Sequence, residues 1–431
     1  MGLKSTKSYV SVRMARNLTE RFILDHHVPS YEIIHVWHLY RRVLAENILS
    51  TIDVPAHDTS HMDGYAVKAE DILYASYKNP AVLSLITNQI KPRRIFDFSL
   101  QRKEAYRIMT GGYLPKGADT VVPIEQTRLD NKNKVQVLSA VTRGAFVYSR
   151  GRDVKKGDQV MKSGKVLRPQ DVGLLASLHI AKLKVFKRPK VAIIATGSEL
   201  TNKLGNLKLG KVLDTHSHII SCLIEELGGS AFMMGITVDD ISKIRKKIEN
   251  AINSMDLILT LGGSSVGKHD LVEAVINSMG KPEMLFHGIR LDRGRVTGLA
   301  ITKGKPIIIM PGPIQGAMNA FLVFAHPLLK LLSGQSKRKP LIIPSTLTEE
   351  WHARKKFSNF TKLIYVNLRN QQNGEFQADP IAGETETMTT LTKSNGYIIA
   401  DEKTVHIKAG EKVKVHLLPG FSYANDQLTL S

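Results

Sequence analysis

From residue 189 to residue 334 the chain alternates short, continuously apolar runs with longer amphipathic ones, and this pattern limits its fold more than any other feature. KVAIIAT (190–196), AFMMGITV (231–238), DLILTL (256–261) and PIIIMPG (306–312) are too short for helices and too uniformly apolar for strands with one wet face. They read as strands covered on both sides, the habit of parallel sheets in α/β proteins. HSHIISCLIEELGG (216–229), the stretch 239–255, DLVEAVINSMG (270–280) and QGAMNAFLVFAHPLLKLL (315–332) carry helical apolar spacing between them. Strands alternating with helices in this way imply a parallel sheet with helices on both faces. Ligands of such sheets sit beyond the carboxyl ends of the strands. Three turn segments fall at those ends: TGSEL (196–200), GGSSVGK (262–268) and PGP (311–313).

The flanking regions differ in character, so the fold class is α/β multidomain. Residues 1–27 read as a basic, mobile tail, and 29–50 show helical spacing. Residues 51–147 alternate short apolar runs (RRIFDF, AYRIMT, KVQVLSAV) with turn residues, the mark of a β-rich domain. Residues 148–188 return to glycine turns and one helix, PQDVGLLASL. After the basic linker SGQSKRKP, residues 335–431 carry period-two runs (TKLIYVNL, GYIIA, KVKVHLL), as expected for a C-terminal β-barrel-like domain.

Sixty Lys and Arg oppose thirty-nine Asp and Glu, a net charge of +21 that attracts anions in general. Aromatics are only 6%, too few to interleave stacking platforms with the basic residues, so no specific nucleic acid is expected. No run of about 18 apolar residues occurs, and the basic N-terminus lacks an apolar signal core; the expectation is a cytoplasmic protein with no membrane partner. Cys222 is the one cysteine, which rules out an intrachain disulfide. Its place in an apolar helical pattern reads as core.

GGSSVGK follows a strand and opens a helix, where glycines let the backbone approach and helix N–H groups bind phosphate. It matches Gly-x-x-x-x-Gly-Lys, but a P-loop then needs Ser or Thr for magnesium and the chain has His269. A phosphate-binding turn of another kind, a P-loop and a plain tight turn all remain open at this point. PGP at the neighbouring strand end reads equally as ligand contact or ordinary turn. Asp58, Asp63, Asp153, Glu199, Asp214 and Asp270 lie in turn-like settings and could supply oxygen ligands for a hard cation, although sequence separation does not show that they meet. Neither a His-Glu-x-x-His spacing nor a Gly-x-Ser-x-Gly elbow is present, which disfavours a catalytic zinc site and an α/β-hydrolase.

DTSHMDGYAV (58–67) resembles the Asp-Asn-Ser-Ala-Met-Asp-Gly-Tyr-Ala-Val signature of the molybdopterin molybdenumtransferases, the family that includes the E domain of gephyrin. RIMTGGYLPKGADTVVPIEQT (107–127), GRDVKKGD (151–158), ATGSEL, VLDTHS and LGGSSVGKHD are similar to later motifs of that family in the same order. The resemblance runs from about residue 28 to about residue 420 and looks like a divergent, archaeal-looking branch. It implies a β-rich domain at 51–147 inserted into a first domain built from 28–50 and 148–188, an adenylyltransferase-like α/β domain at 189–334, and a homodimer with sites between subunits. It also implies transfer of molybdate, or tungstate, onto adenylylated molybdopterin with release of AMP, assisted by Mg2+ or another divalent cation. By the same resemblance Asp58 and Thr110 reach across the dimer, Asp153 supports the cleft, and Glu199, Asp214 and Asp270 hold the cation and position the pyrophosphate. Gly262, Gly263, Ser264, Ser265 and Gly267 cradle phosphate, and Pro311, Gly312, Arg295 and Thr389 complete the substrate contacts.

The chain departs from the family where the oxyanion is expected. Asp292-Arg293-Gly294-Arg295-Val296 stands in place of a Lys-Pro-Gly-Lys-Pro stretch, and an aspartate there would repel molybdate. Pro313-Ile314 replaces Asn-Pro, Lys268 stands where an acidic residue is common, His216 where Asn is common, and Thr389-Thr390 replaces a serine pair. Two alternatives to the transferase follow: a carrier that binds the pterin without catalysis, and a nucleotide-handling enzyme of adenylyltransferase or P-loop type.

Overall fold

The computed structural model describes residues 9–86, 98–130, 132–205, 209–263, 271–279, 283–337 and 340–420. Ser264, Ser265, Gly267, Lys268, His269 and Asp270 lie outside these residues, as does most of the RRIFDF run.

The expected tail is largely a helix. α1 (Val12–His26) starts on Ser11, whose side chain accepts from the Met14 amide, and buries Ala15, Thr19 and Ile23. These residues recur every four positions, so one stripe of an otherwise basic helix meets the core of the α/β domain. The 29–50 segment corrects a second expectation. It forms strand Tyr31–His35, one 3-10 turn and short strands at Val43–Leu44 and Ile48–Leu49 rather than a helix. Its β-branched and aromatic residues fit a pleated surface once a partner strand is supplied from far along the chain. Tyr31–His35 pairs antiparallel with Lys182–Phe186, which also pairs with Val43–Leu44. Both flanks of the β-rich segment therefore share one small sheet, covered by α2 (Pro169–Ser177). Between them, strands from Gly64–Val67 to Lys134–Val137 form a six-stranded sheet with its own core around Tyr65, Leu83, Val122 and Val135.

The α/β domain has strands β1 (Lys190–Thr196), β2 (Ser230–Thr237), β3 (Leu257–Leu261), β4 (Glu283–His287), β5 (Gly298–Thr302) and β6 (Lys305–Met310), ordered β2-β1-β3-β6-β5-β4. β2, β1, β3 and β6 are parallel, as the sequence pattern implies. β5 and β4 add an antiparallel edge that the alternation argument missed. The tight turn at Lys303 and Gly304 between β5 and β6 leaves no room for a helical crossover. Helices α3 (His216–Glu226), α4 (Ile241–Ile252) and α5 (Leu271–Asn277) follow β1, β2 and β3. After β6 come α6 (Ile314–Ala320), one π-helical segment (Phe321–Ala325) and α7 (His326–Leu332), buried almost throughout. Cys222 is exposed on α3, where Ser217, Ile220 and Ile224 make the buried stripe. Strands Ile342–Leu347, Phe376–Pro380, Lys362–Asn370, Gly396–Ala400 and Lys412–Leu417 close a barrel at the C-terminal end. Among the described residues, no helix is long and apolar enough to cross a membrane.

A candidate active-site cleft at the carboxyl ends of the parallel strands

The ends of β1, β3 and β6 open into a cleft of about 540 Å³. Its lining includes Thr196, Glu199, Asp214, Asp239, Gly262 and Gly312. Glu386 from the C-terminal domain closes one side.

The glycines here are steric necessities. Gly262 and Gly263 have φ of +83° and +64°, and a Cβ would stand 2.5 Å from the Thr196 carbonyl oxygen or 2.4 Å from its hydroxyl. Only glycine lets β3 turn this close to β1, which exposes backbone at the strand end. The Gly262 amide donates to Met310 O at 3.3 Å, tying the turn to β6. Gly312 lies against the same turn, and its carbonyl contacts His216 Nδ1 at 2.9 Å. Pro311 is buried behind it, supporting the turn against Gly316.

The carboxylates are held by the loops that follow the strands. Leu200–Thr201 and Val212–Leu213 pair in parallel, so Glu199 stands at the entry to this miniature sheet and Asp214 at its exit, and both line the cleft. Asp214 is buried, and its Oδ1 accepts from the Ser217 amide at 3.1 Å, capping α3. Asp239, which sequence reasoning overlooked, accepts from the Ser198 amide at 3.2 Å across the mouth. Its position just after β2 was the available signal. The acidic side chains of the lining offer oxygen donors of the kind that suit a hard cation such as Mg2+, while His216 is turned to the Gly312 carbonyl. Within the described residues these carboxylates do not converge as three ligands within 4.8 Å, so any such ion would share its coordination with substrate and water.

Asp292 corrects the repulsion argument. Its carboxylate forms an ion pair with Arg354, a residue of the C-terminal domain. The Arg354 guanidinium lies 4.8 Å from the Phe357 ring centroid and that of Arg295 5.7 Å from it, so the aspartate sits in a cationic surrounding. Arg293 adopts φ +52° and turns inward, donating to Gln315 Oε1 at 2.6 Å and to the Gly383 carbonyl. Burial, then the neighbouring Arg354, lowers its pKa. Gln315 opens α6 directly behind the Pro311–Pro313 turn, so Arg293 braces the cleft from the back. Arg295 and Thr389 are exposed and do not line the cleft, although Thr389 is near Glu386 in sequence.

Asp58, Thr110 and Asp153 are not in the cleft of their own chain. They lie exposed on the β-rich side of the molecule. Asp58 Oδ1 accepts from the Arg150 amide at 2.7 Å, while the Arg150 side chain donates to Asp53 at 2.6 Å. The Thr110 amide and hydroxyl both donate to Asp63 Oδ1, at 2.7 and 2.8 Å, which lowers the pKa of Asp63.

A glycine turn and carboxylates at the mouth of a parallel sheet define the class, an α/β protein whose cleft lies at the carboxyl ends of its strands. Comparison makes this particular. The chain matches the MoeA N-terminal region (domain I and II) at residues 10–178, the probable molybdopterin binding domain at 192–331, and the MoeA C-terminal region (domain IV) at 345–418. It is 32% identical to a molybdopterin molybdenumtransferase of Staphylococcus aureus over 90% of this chain and 91% of that one. It is 29% identical to a Nostoc protein of the same name over 90% and 89%. The crystal structure of a molybdopterin biosynthesis MoeA protein from Pyrococcus horikoshii OT3 is similar with a TM-score of 0.79 and 28% identity, covering 95% of this chain and 100% of that one. The chain belongs to the molybdopterin molybdenumtransferase family.

Proposed function

We propose that this protein transfers molybdate, or tungstate, onto the dithiolene of adenylylated molybdopterin, with cleavage of the pyrophosphate and release of AMP. The observation that carries this reading is the glycine turn at Gly262–Gly263 facing Glu199, Asp214 and Asp239 across one cleft. Phosphoryl-group chemistry depends on positioning and charge neutralisation and needs no protein nucleophile, so such a cleft can perform it. Backbone groups of the turn, with Ser264, Ser265 and Gly267 beyond the described residues, grip phosphate. Glu199, Asp214 and Asp270 would hold Mg2+, which when bound neutralises phosphate charge. Gly312 and His216 shape the far wall, and the guanidinium groups near Asp292 attract the oxyanion.

Asp58, Thr110 and Asp153 enter this scheme from a second copy of the chain, since their own cleft is built without them. The dimer is part of the proposal, as is a cytoplasmic setting. The carrier reading loses its main support because Arg354 offsets the charge of Asp292.

The test is incubation with adenylylated molybdopterin, Mg2+ and molybdate or tungstate, with AMP as the readout. Oxyanion-dependent AMP release is expected; tight pterin binding without release, or hydrolysis of ATP alone, would overturn the proposal. The shared site has its own check. Mixing an inactive Asp58→Asn chain with an inactive Asp214→Asn chain should restore part of the turnover through mixed dimers holding one intact cleft. A strictly monomeric protein, or no recovery on mixing, would remove Asp58 from the cleft.

A further inference from the structure

We propose that Glu350, His352 and His406 form a site for a borderline divalent metal ion of the zinc type on the C-terminal barrel, separate from the cleft. Strand Trp351–His352 pairs antiparallel with His406–Ile407, placing His352 opposite His406. One step along, the Ala353 amide donates to Val405 O at 2.8 Å. His352 and His406 are therefore the pair without backbone hydrogen bonds between them, the kind whose facing side chains approach most closely. Glu350, two residues before His352, projects from the same face of the strand.

The three side chains meet. Glu350 Oε1 lies 3.6 Å from His352 Nε2, and its Oε2 lies 3.4 Å from His406 Nε2. The candidate ligand atoms are all within 4.8 Å of one another. The imidazole rings stack at 4.2 Å between centroids and 4° between planes. A tetrahedral zinc ion with bonds of about 2.0–2.2 Å spaces its ligands about 3.4 Å apart, so small side-chain rotations complete the set.

A simple ion pair explains these contacts poorly. Charge-assisted hydrogen bonds between nitrogen and carboxylate run at about 2.7–2.9 Å, shorter than either contact here. His406 Nε2 is shielded from solvent and has no hydrogen-bond partner among the described residues, an orphaned polar atom 3.4 Å from the carboxylate. Two imidazoles and one carboxylate favour zinc, nickel or copper over magnesium, which prefers oxygen ligands alone. The exposure of Glu350 and His352 leaves room for water to complete the coordination. An ion bound there would fasten the segment at 350–354 to the barrel, and with it Arg354, the partner of Asp292.

The test is equilibrium dialysis of the full chain against zinc in excess Mg2+, with thermal melts in parallel. Wild type should hold one more zinc equivalent than the double variant His352→Gln/His406→Gln, and zinc should raise the melting temperature of wild type alone. Glu350→Gln, at an exposed position that should not disturb folding, should weaken binding by more than about tenfold, the order produced by losing even an outer-shell partner. Equal zinc content and equal thermal shifts in wild type and both variants would overturn the proposal.

Discussion

The two ends of the proposed site are built in different ways. At the end proposed for phosphate, Gly262 and Gly263 pass so close to Thr196 that no other residue fits, and the turn is set by contacts among β1, β3 and β6. At the end proposed for the oxyanion, outside the lining of the cleft itself, Asp292, Arg293 and Arg295 are held by the C-terminal domain: Arg354 pairs with Asp292, the Gly383 carbonyl accepts from Arg293, and the Phe357 ring lies beside Arg295. One end is steric and local to the sheet, while the other is electrostatic and spans domains. A steric end tolerates almost no change in sequence. An electrostatic end can exchange lysine for arginine and even admit an aspartate, provided the charges are rebalanced.

The sharpest way to break this contrast is Gly263→Ala. The positive φ alone costs about 1–2 kcal/mol, and the clash with Thr196 adds to it. AMP release should become undetectable and the melting temperature should fall; near-normal turnover would mean that the turn does not hold phosphate. Asp214→Asn comes next. Asparagine can still cap α3, so stability should change little while AMP release falls by about a hundredfold or more, the order of losing one electrostatic group in a catalytic site. Asp214→Ala should additionally lose about 1 kcal/mol of stability through the missing cap.

A smaller effect is expected at the electrostatic end. Arg354→Gln leaves Asp292 uncompensated and should raise KM for molybdate more than it lowers kcat. Adding Asp292→Asn should reverse much of that rise. If the single variant matches wild type, or the second change gives no rescue, the charge-balance account fails.

The remaining effect leaves neutral-pH activity untouched and appears only in acid, at α7, beyond the π-helical segment that continues from α6. Burial, then nearby Lys330, lowers the pKa of His326 to about 4, and its Nε2 has no hydrogen-bond partner among the described residues. The folded state therefore resists a proton that the unfolded chain accepts near pH 6.5. Stability should fall as pH drops from about 6.5 to about 4, by up to about 3 kcal/mol, and then level off in this contribution. His326→Leu should flatten that part of a denaturation series while leaving activity at neutral pH unchanged.

Much of the parallel sheet and its ligand end was legible in the sequence, because uniformly apolar strands followed by amphipathic helices allow few other solutions. The rule that loops after parallel strands face the ligand directs attention to the Gly262–Gly263 turn and Glu199, whereas Asp214 is singled out by its turn-like setting and the family resemblance; all of them line the cleft. Asp239 obeys the same rule and was missed only because it was read as the start of a helix. Residues 29–50 were misread because short strands paired with Lys182–Phe186 have no periodicity of their own. The helix at Val12–His26 was hidden behind its charge, since a narrow stripe of Ala15, Thr19 and Ile23 is enough to dock it.

The sequence by itself settled the family, the α/β sheet and the glycine turn, since these depend on steric limits and apolar patterns carried within short segments. Only the tertiary structure decided how Asp292 is neutralised, that Asp58 and Thr110 stand apart from their own cleft, and that His352 faces His406. Those outcomes depend on which distant side chains the packed domains bring within a few ångströms, and no local spacing encodes that distance.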